Sequence, residues 1–267
     1  MCKRSRIISF LTDFGTKDAY VGEMKGVILG IYPYAKLVDI SHKIEKHDIL
    51  QGAFILLQVS SYFPKGSIHL AVVDPGVGTT RRRIIIQGRR SLYVGPDNGL
   101  LSLAAKNEGI VNIYEISNKK FMLPFPSKTF EGRDIFAPIA AYLAKGIDIR
   151  EFGPTVNNLK ILSMENPEKR GNELLGKVLY IDSFGNITTN IPLNILKKVA
   201  EGVSIKVTIE SVSKISSYYD TYGILSKGAT LLTLGSSGFL EIAINQGNAR
   251  DFFKAKIGSR VVLTLLV

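Results

Sequence analysis

Short apolar runs alternate with longer amphipathic segments along the first part of the chain. Runs rich in β-branched residues predict strands over 7–11, 36–40 and 67–73, because each has the length of a buried strand and ends at turn-forming residues. The segments 20–32 and 49–61, which lie between these runs, are predicted to be helices. This alternation is typical of a mostly parallel sheet with helices on its faces.

The same alternation continues to about residue 145. We expect Asp18 to cap the helix at 20 and Asp134 to cap a helix at 135, because Asp side chains accept from the free N–H groups of a first helical turn. The further predicted elements are a hairpin of strands 83–87 and 91–94, a helix over 100–106, a strand over 112–116 and a helix over 135–145.

The pattern changes after a polar, turn-forming stretch at 157–172. Short β-rich segments follow it, with one predicted helix over 193–200, and this arrangement is typical of a small β-barrel or sandwich. We therefore predict an α/β N-terminal domain over 1–160 and a β-rich C-terminal domain over 170–267. The β-rich segments are 173–181, 187–191, 203–209, 230–234, 240–244 and 260–266.

Composition indicates a globular, soluble protein, with 45% hydrophobic and 21% charged residues among 267. No apolar run is long enough to span a bilayer. The opening apolar stretch is too short for a secretory signal. The single cysteine, Cys2, excludes an internal disulfide framework and a cysteine-based zinc site, and it fits a cytoplasmic location.

The formal net charge of +11 raises the possibility of a nucleic-acid partner. The cations are spread along the chain, in short clusters such as 81–83 and 119–120, without the aromatic residues that stack on bases. A solvated basic surface is therefore the favoured interpretation, and we expect neither a nucleic-acid nor a membrane partner.

Asp74 follows the predicted 67–73 strand directly, and Arg81 opens a cation cluster seven residues later. Ligands of open α/β sheets bind outside the carboxyl ends of strands, which favours a substrate-facing acid. An Asp in such a turn can equally accept N–H groups of its own backbone. Both interpretations of Asp74 stay open on this segment alone.

Asp13 and Asp18 share the loop after the first strand, where a carboxylate can hold the two hydroxyls of a ribose. The functional interpretation is favoured for Asp13 and the capping one for Asp18. No Gly-x-Gly-x-x-Gly or Gly-Lys-Ser/Thr loop occurs at a strand-to-helix junction, which disfavours a dinucleotide or triphosphate enzyme.

The three histidines give no standard metal signature. His69 lies inside a predicted strand and is expected to be packed. His42 and His47 share a loop with Asp39, Glu45 and Asp48, which either holds a metal or is a solvated polar loop, and the second is favoured. On its own sequence context Glu131 is predicted to be a solvated acid in the loop before the 135 helix.

Two polar turns mark the second half, 182–186 and 235–241. They are either ordinary turns or a binding site for a zwitterion and a planar ring. Together with the first half, the chain resembles the S-adenosylmethionine hydroxide adenosyltransferases, which are related to the fluorinase and chlorinase enzymes. The stretches that carry the resemblance are 11–18, 73–79, 95–99, 129–138, 182–190 and 236–248.

The resemblance implies attack of water on the ribose C5′ of S-adenosylmethionine, which releases adenosine and L-methionine without a further cofactor. It implies that Asp74 and Arg81 are two members of an Asp-Arg-His set that activates water. Glu131 stands in place of the family's histidine, and His47 in place of a larger apolar or aromatic residue. It also implies a homotrimer with each site between the N-terminal domain of one subunit and the C-terminal domain of its neighbour.

The resemblance further implies roles for individual residues in substrate binding. Asp13 is expected on the ribose, Tyr222 stacked on adenine, and Asp182 with Ser236 and Ser237 at the methionine end. The remaining members of the expected substrate-binding set are Asp18, Asn186, Phe239, Glu241, Ile244 and Asn245. The alternatives are a protein that binds adenosine or S-adenosylmethionine without turnover, a halogenase, and a metal-dependent hydrolase that uses Asp13, Asp39, His42 and Asp74.

Overall fold

The computed structural model describes residues 7–192, 195, 203–235 and 237–266. The chain divides into two compact units, Met1–Leu162 and Ser163–Val267. Among the described residues, no helix has the length and apolar character needed to cross a membrane.

The first unit is built on a six-stranded sheet within the described residues, in the order β2-β1-β3-β5-β4-β6. The strands β2, β1, β3 and β5 run parallel, and β4 is antiparallel to both of its neighbours. This confirms the predicted mostly parallel sheet. The strands are β1 Ile7–Thr12, β2 Lys36–Ser41, β3 Ile68–Val72, β4 Arg83–Gly88, β5 Leu92–Pro96 and β6 Ile110–Glu115.

Helices cover both faces of this sheet, as the sequence predicts. Met24 and Ile28 of α1 pack with α4 on the face that carries Phe10. On the opposite face a side chain at Gly52 of α2 would meet Leu11, as expected from the alternation of side chains along a strand. The helices are α1 Tyr20–Ile31, α2 Ile49–Ser60, α3 Ser102–Glu108 and α4 Ala137–Lys145, with a π-helical turn at Gly132–Phe136 just before α4.

Both predicted helix caps are wrong. Ala19 occupies the N-cap position of α1, and no side chain caps this helix, while Asp18 is exposed. Asp134 lies inside the π-helical turn, where its Oδ2 accepts from the backbone N of Ser127 at 2.7 Å. The helical segment starts earlier than predicted, because the π-helical turn adds residues in front of α4.

The second unit contains a closed barrel. Seven strands follow the order β14-β10-β11-β12-β13-β9-β8, and β14 pairs with β8 to close the ring, while β7 extends the sheet beside β8. Closure removes exposed strand edges, and the predicted barrel or sandwich is thus a barrel. The strands are β7 Glu168–Arg170, β8 Glu173–Ile181, β9 Ile187–Pro192, β10 Ser204–Ile209, β11 Val212–Tyr218, β12 Thr230–Leu234, β13 Phe239–Ile244 and β14 Arg260–Leu265.

The barrel interior is filled by alternating apolar side chains such as Val178, Ile187, Val207 and Leu263. A short helix, α5 (Ala249–Phe253), adds Phe253 to this core. Apart from Ile195, the predicted helix over 193–200 lies outside the described residues.

Candidate active site

Asp74 and Arg81 form a buried ion pair on the loop between β3 and β4. Arg81 Nε donates to both carboxylate oxygens of Asp74 at 2.9 Å, and Arg81 Nη2 donates to Oδ2 as well. The side chains are only 10% and 4% exposed. The Arg81 guanidinium also lies over the ring of Phe136, 5.5 Å from its centroid. The carboxylate of Asp74 is therefore bound by the cation seven residues later.

Glu131 joins this pair from the start of the π-helical turn. Its Oε2 accepts from Arg81 Nη2, and its Oε1 accepts from Arg83 Nη2. Glu131 is 2% exposed, so the prediction of a solvated acid is wrong. The local sequence could not reveal this burial, because the two arginines come from a segment some fifty residues away along the chain.

The positive charge of Arg81 interacts with both acids. Burial lowers the pKa of the Arg81 guanidinium, but its hydrogen bonds and charge interactions with Asp74 and Glu131 outweigh this, so the pKa is raised above its usual range. Arg81 is therefore a permanent cation. Its Nη1 is buried and has no hydrogen-bond partner among the described residues, so both N–H groups of this nitrogen are unused.

A close backbone contact brings the Asp74 loop to the segment that carries Glu131. Gly78 has a φ of +76°, and a Cβ at this position would lie 2.3 Å from the carbonyl oxygen of Lys128. Only glycine combines this left-handed conformation with such a close approach. Gly78 thus allows the β3–β4 loop to pack against the residues just before Glu131.

Asp74 and Glu131 line one small cavity of about 160 Å³. Three aromatic side chains, Phe14, Tyr20 and Phe130, form part of its wall. Their ring centroids lie 5.2 to 5.8 Å apart in tilted or edge-to-face contacts. The cavity therefore combines carboxylates with an aromatic wall, an arrangement that suits a cation.

A second cavity of about 550 Å³ lies on another side of Glu131. Arg83, Lys119, Lys128 and Glu131 line it, and Asp74 does not. Glu131 is thus shared by the two cavities. Sequence reasoning assigned no role to Arg83 or to the aromatic wall. The one available signal for Arg83 was its position two residues after Arg81, since alternate residues of an extended chain point to the same side.

Asp13 lies in the same unit, at the end of β1. It is 5% exposed, and its Oδ2 accepts from the backbone N of His47 at 2.9 Å. The exposed Asp18 makes no capping bond to α1.

Two of the three histidines, His42 and His69, are buried in this unit, whereas His47 is exposed. His42 Nδ1 lies 2.8 Å from Thr12 Oγ1, and His69 Nδ1 lies 2.7 Å from Ser9 Oγ. Burial lowers the pKa of His69 from 6.5 to about 4, so its ring is neutral at pH 7. The packed role expected for His69 is confirmed, since the residue is 0% exposed. Within the described ranges, no group of three His, Cys, Asp or Glu side chains is arranged to hold a metal ion.

In the second unit, Asp182 organises the turn between β8 and β9. Its Oδ1 accepts from the backbone N of Phe184 at 2.9 Å and of Asn186 at 2.8 Å, and its Oδ2 accepts from Asn186 Nδ2 at 3.0 Å. Asp182 and Asn186 thus lie in direct contact. Phe184 is largely exposed at the tip of the turn.

Tyr222 and Glu241 form a second contact in this unit, in which the Tyr222 hydroxyl donates to Glu241 Oε1. Burial raises the pKa of the Glu241 carboxyl; the hydrogen bond from Tyr222 lowers it, the charge of Asp182 raises it, and the net shift is upward. Burial and the Glu241 charge together raise the pKa of the Tyr222 hydroxyl. Glu241 is therefore easier to protonate than an exposed glutamate.

The other expected substrate-binding residues that the structure describes lie at the two ends of β13. Asn245 Nδ2 donates to the carbonyl oxygen of Leu225 at 2.7 Å, and the Ile244 carbonyl accepts from the N of Gly247 at 3.0 Å. Ser237 Oγ is buried and has no hydrogen-bond partner among the described residues. Phe239 begins β13 and is half-buried, whereas Ser236 lies outside the described residues.

Known proteins match the chain almost from end to end. Residues 8–153 match the family model of the SAM hydroxide adenosyltransferase N-terminal domain, and residues 176–262 match that of the C-terminal domain. A protein of Salinispora tropica named (R)-S-adenosyl-L-methionine hydrolase is 35% identical over 260 residues, which cover 96% of this chain and 97% of that protein.

A more distant relative and a solved structure extend the comparison. A protein of Actinoplanes sp. named fluorinase is 27% identical over 97% of each chain. The crystal structure of an uncharacterized conserved protein from Thermotoga maritima has a TM-score of 0.92 and 36% identity, and the match covers 96% of this chain and 99% of that one.

Proposed function

Since this chain belongs to the S-adenosylmethionine (SAM) hydroxide adenosyltransferase family, we propose that it hydrolyses SAM to adenosine and L-methionine, with water as the nucleophile at the ribose C5′. The name of the Salinispora relative specifies the R configuration. We propose the same preference at the sulfur of the substrate used here.

The reaction forms a C5′–O bond and breaks the C5′–S bond, whose electron pair stays on sulfur. The sulfonium leaves as a neutral thioether, so no acid is needed to protonate the leaving group. One proton must leave the attacking water. The enzyme therefore has two tasks, which are to fix the water in line with the C5′–S bond and to stabilise the hydroxide character that develops on it.

One observation carries the assignment of these tasks. Arg81 is held by two buried carboxylates, and its Nη1 has no partner among the described residues. We propose that this donor binds the attacking oxygen, while Asp74 accepts a hydrogen bond from the same water. A preorganised donor of this kind stabilises charge without reorganisation during the reaction.

Glu131 stands where the family motif has a histidine. We propose that it either accepts the proton of the attacking water or fixes Arg81 through their hydrogen bond. In the second case the proton passes to Asp74, which accepts the hydrogen bond from that water. The aromatic wall of Phe14, Tyr20 and Phe130 would exclude bulk water and favour the sulfonium cation.

The substrate-binding roles rest on the resemblance. We propose that Asp13 binds the ribose hydroxyls, that Tyr222, Asn186, Glu241, Ile244 and Asn245 surround adenosine, and that Asp182, Ser236 and Ser237 bind the methionine end. Asp18 and Phe239 complete the proposed set. The contacts between Tyr222 and Glu241 and between Asp182 and Asn186 support a preformed arrangement in the second unit.

We also propose a homotrimer with sites at the subunit interfaces, and a cytoplasmic location that fits the single cysteine. Sedimentation equilibrium of the purified protein tests the first, with a mass of three chains as the expected result. A monomer that turns over SAM at full rate would refute it.

Product analysis in oxygen-labelled water tests the reaction itself. Incubation of the enzyme with separate R and S epimers of SAM should give adenosine and methionine from the R epimer, with the label in the 5′-hydroxyl of adenosine. Activity should persist after treatment with a chelator. Tight binding of SAM without adenosine formation would refute the hydrolase and support a binding protein instead.

A further inference from the structure

Arg83 opens strand β4, and its backbone is paired with segments on both sides. It pairs with Pro96 of β5, and its carbonyl oxygen accepts from the backbone N of Ile116 at 2.8 Å. Its Nη2 donates to Glu131 Oε1, whereas Arg81 binds the other oxygen of the same carboxylate. Each oxygen of Glu131 therefore has its own arginine.

The four charges of this cluster balance. Two carboxylates, Asp74 and Glu131, meet two guanidinium groups, Arg81 and Arg83. Without Arg83, two buried carboxylates would share one cation. A buried charge without a partner is strongly unfavourable, so Glu131 would compete with Asp74 for Arg81 and draw it out of its present position.

The two cavities show on which side of Glu131 the Arg83 side chain lies. Asp74 and Glu131 line the cavity of about 160 Å³, while Arg83 and Glu131 line the cavity of about 550 Å³. Arg83 does not line the smaller cavity. Its link to Arg81 and Asp74 is the hydrogen bond that it donates to Glu131.

We propose that Arg83 is a positioning residue for the hydrolysis, because it neutralises one oxygen of Glu131 and so leaves Arg81 fully bonded to Asp74. This role rests on the proposed function, since it is defined by the reaction at the Asp74 side of Glu131. It concerns Glu131 specifically, because a neutral residue at that position would need no second cation.

The first test is Arg83→Met, which keeps much of the side-chain volume and removes the charge. Displacement of Arg81 should lower kcat on the order of 10- to 100-fold, the range expected when a reacting group is misplaced, while the KM for SAM changes less than about threefold. Arg83→Lys should restore most of kcat, because Arg83 uses a single nitrogen, Nη2, to bind Glu131.

The neighbouring Arg82 offers a matched control. Its side chain is 27% exposed and pairs with Asp97, whose side chain is 4% exposed, compared with 31% and 2% for Arg83 and Glu131. Arg82→Met removes a similar ion pair that does not touch the Asp74 cluster. It should lower the unfolding temperature but keep the kcat of the wild type when assayed well below that temperature.

The decisive test is the double variant Arg83→Met with Glu131→Gln. If Arg83 acts by neutralising Glu131, the double variant should have the kcat of Glu131→Gln alone, and a further loss would overturn the proposal. An unchanged kcat in Arg83→Met, or a loss no larger than in Arg82→Met, would also overturn it. If Arg83→Met does not fold, the double variant still tests the proposal, because it lacks the Glu131 carboxylate that would otherwise be buried without a cation.

The outcome for the wild type separates the two proposals. A wild-type protein that forms no adenosine from SAM refutes the proposed function. A wild type that is active, with variants that do not follow this pattern, refutes only the role of Arg83.

Discussion

Arg81 faces Asp74 with its Nε 2.9 Å from each carboxylate oxygen, and Nη2 of the same guanidinium reaches on to Glu131. Nε thus donates to both oxygens of Asp74, while Nη2 donates to Asp74 and to Glu131. The position of Arg81 is consequently set by two carboxylates that come from different segments of the first unit.

Asp74→Asn should remove most of the activity. Asparagine keeps the shape but presents only one acceptor oxygen to Arg81, so we expect kcat to fall on the order of a hundredfold or more. Adenosine formation followed by chromatography measures this. Asp148→Asn, which alters an exposed pair with Arg150, is the control and should keep full activity. Normal turnover by Asp74→Asn would exclude Asp74 from the reaction.

Glu131→Gln separates the two roles proposed for Glu131. Loss of a general base lowers turnover by roughly 100- to 10,000-fold, whereas a glutamine oxygen can still accept from Arg81. A large fall in kcat at constant KM is expected if Glu131 takes the proton. Unchanged turnover would rule out proton transfer and leave Glu131 a partner of Arg81 only.

Halide should not replace water as the nucleophile. Asp74 and Glu131 line the same small cavity, and carboxylates repel an anion there. Incubation with SAM and excess chloride or fluoride should yield adenosine and no 5′-halogenated nucleoside by mass spectrometry. Detection of such a product would show that the cavity accepts an anion.

Gly78→Ala should destabilise the first unit and lower activity together. A left-handed conformation costs a non-glycine residue about 1–3 kcal/mol, and the added Cβ would also collide with the Lys128 carbonyl. Gly76→Ala is the matched control in the same loop, because the atom nearest its Cβ would be 3.6 Å away. Thermal unfolding and kcat of both variants check this, and equal behaviour of the two would contradict it.

Glu241 should make the stability of the protein depend on pH. Its pKa in the folded state is raised above 4.5, chiefly by burial, so its contribution to stability is present below that pH and is lost as the pH rises through the folded pKa. Glutamine does not titrate, so the variant Glu241→Gln does not lose stability at this position as the pH rises. The unfolding temperature of the variant should therefore rise relative to that of the wild type between about pH 4 and pH 7. A constant difference would contradict the shift.

The sequence predicted the architecture because periodicity reports it directly. Buried strands such as β3 are short apolar runs, and the barrel strands carry alternating patterns. The place of Asp74 followed from the same logic, since a strand end with a turn can be identified from the sequence alone. In the comparison with known proteins, family models that match residues 8–153 and 176–262 carried the family assignment.

The contacts across the sequence could not be predicted in this way. Burial of Glu131, its pairing with Arg83 and the aromatic wall depend on segments that meet only after folding. The capping roles of Asp18 and Asp134 failed because a capping residue has to stand at the helix start, and the sequence misplaced one of these starts. Local propensity does not reveal a π-helical turn.

The π-helical turn at Gly132–Phe136 also determines which insertions and deletions this site tolerates. A π-helical turn holds an extra residue compared with an α-helix, and one residue corresponds to a rotation of about 100° around the axis. Loss of that residue would leave α4 regular but rotate Glu131 away from both arginines. The secondary structure of α4 would then be unchanged, but Glu131 would no longer reach the arginines. Even a homologue with an identical α4 therefore needs the same number of residues in this turn to keep the acid in place.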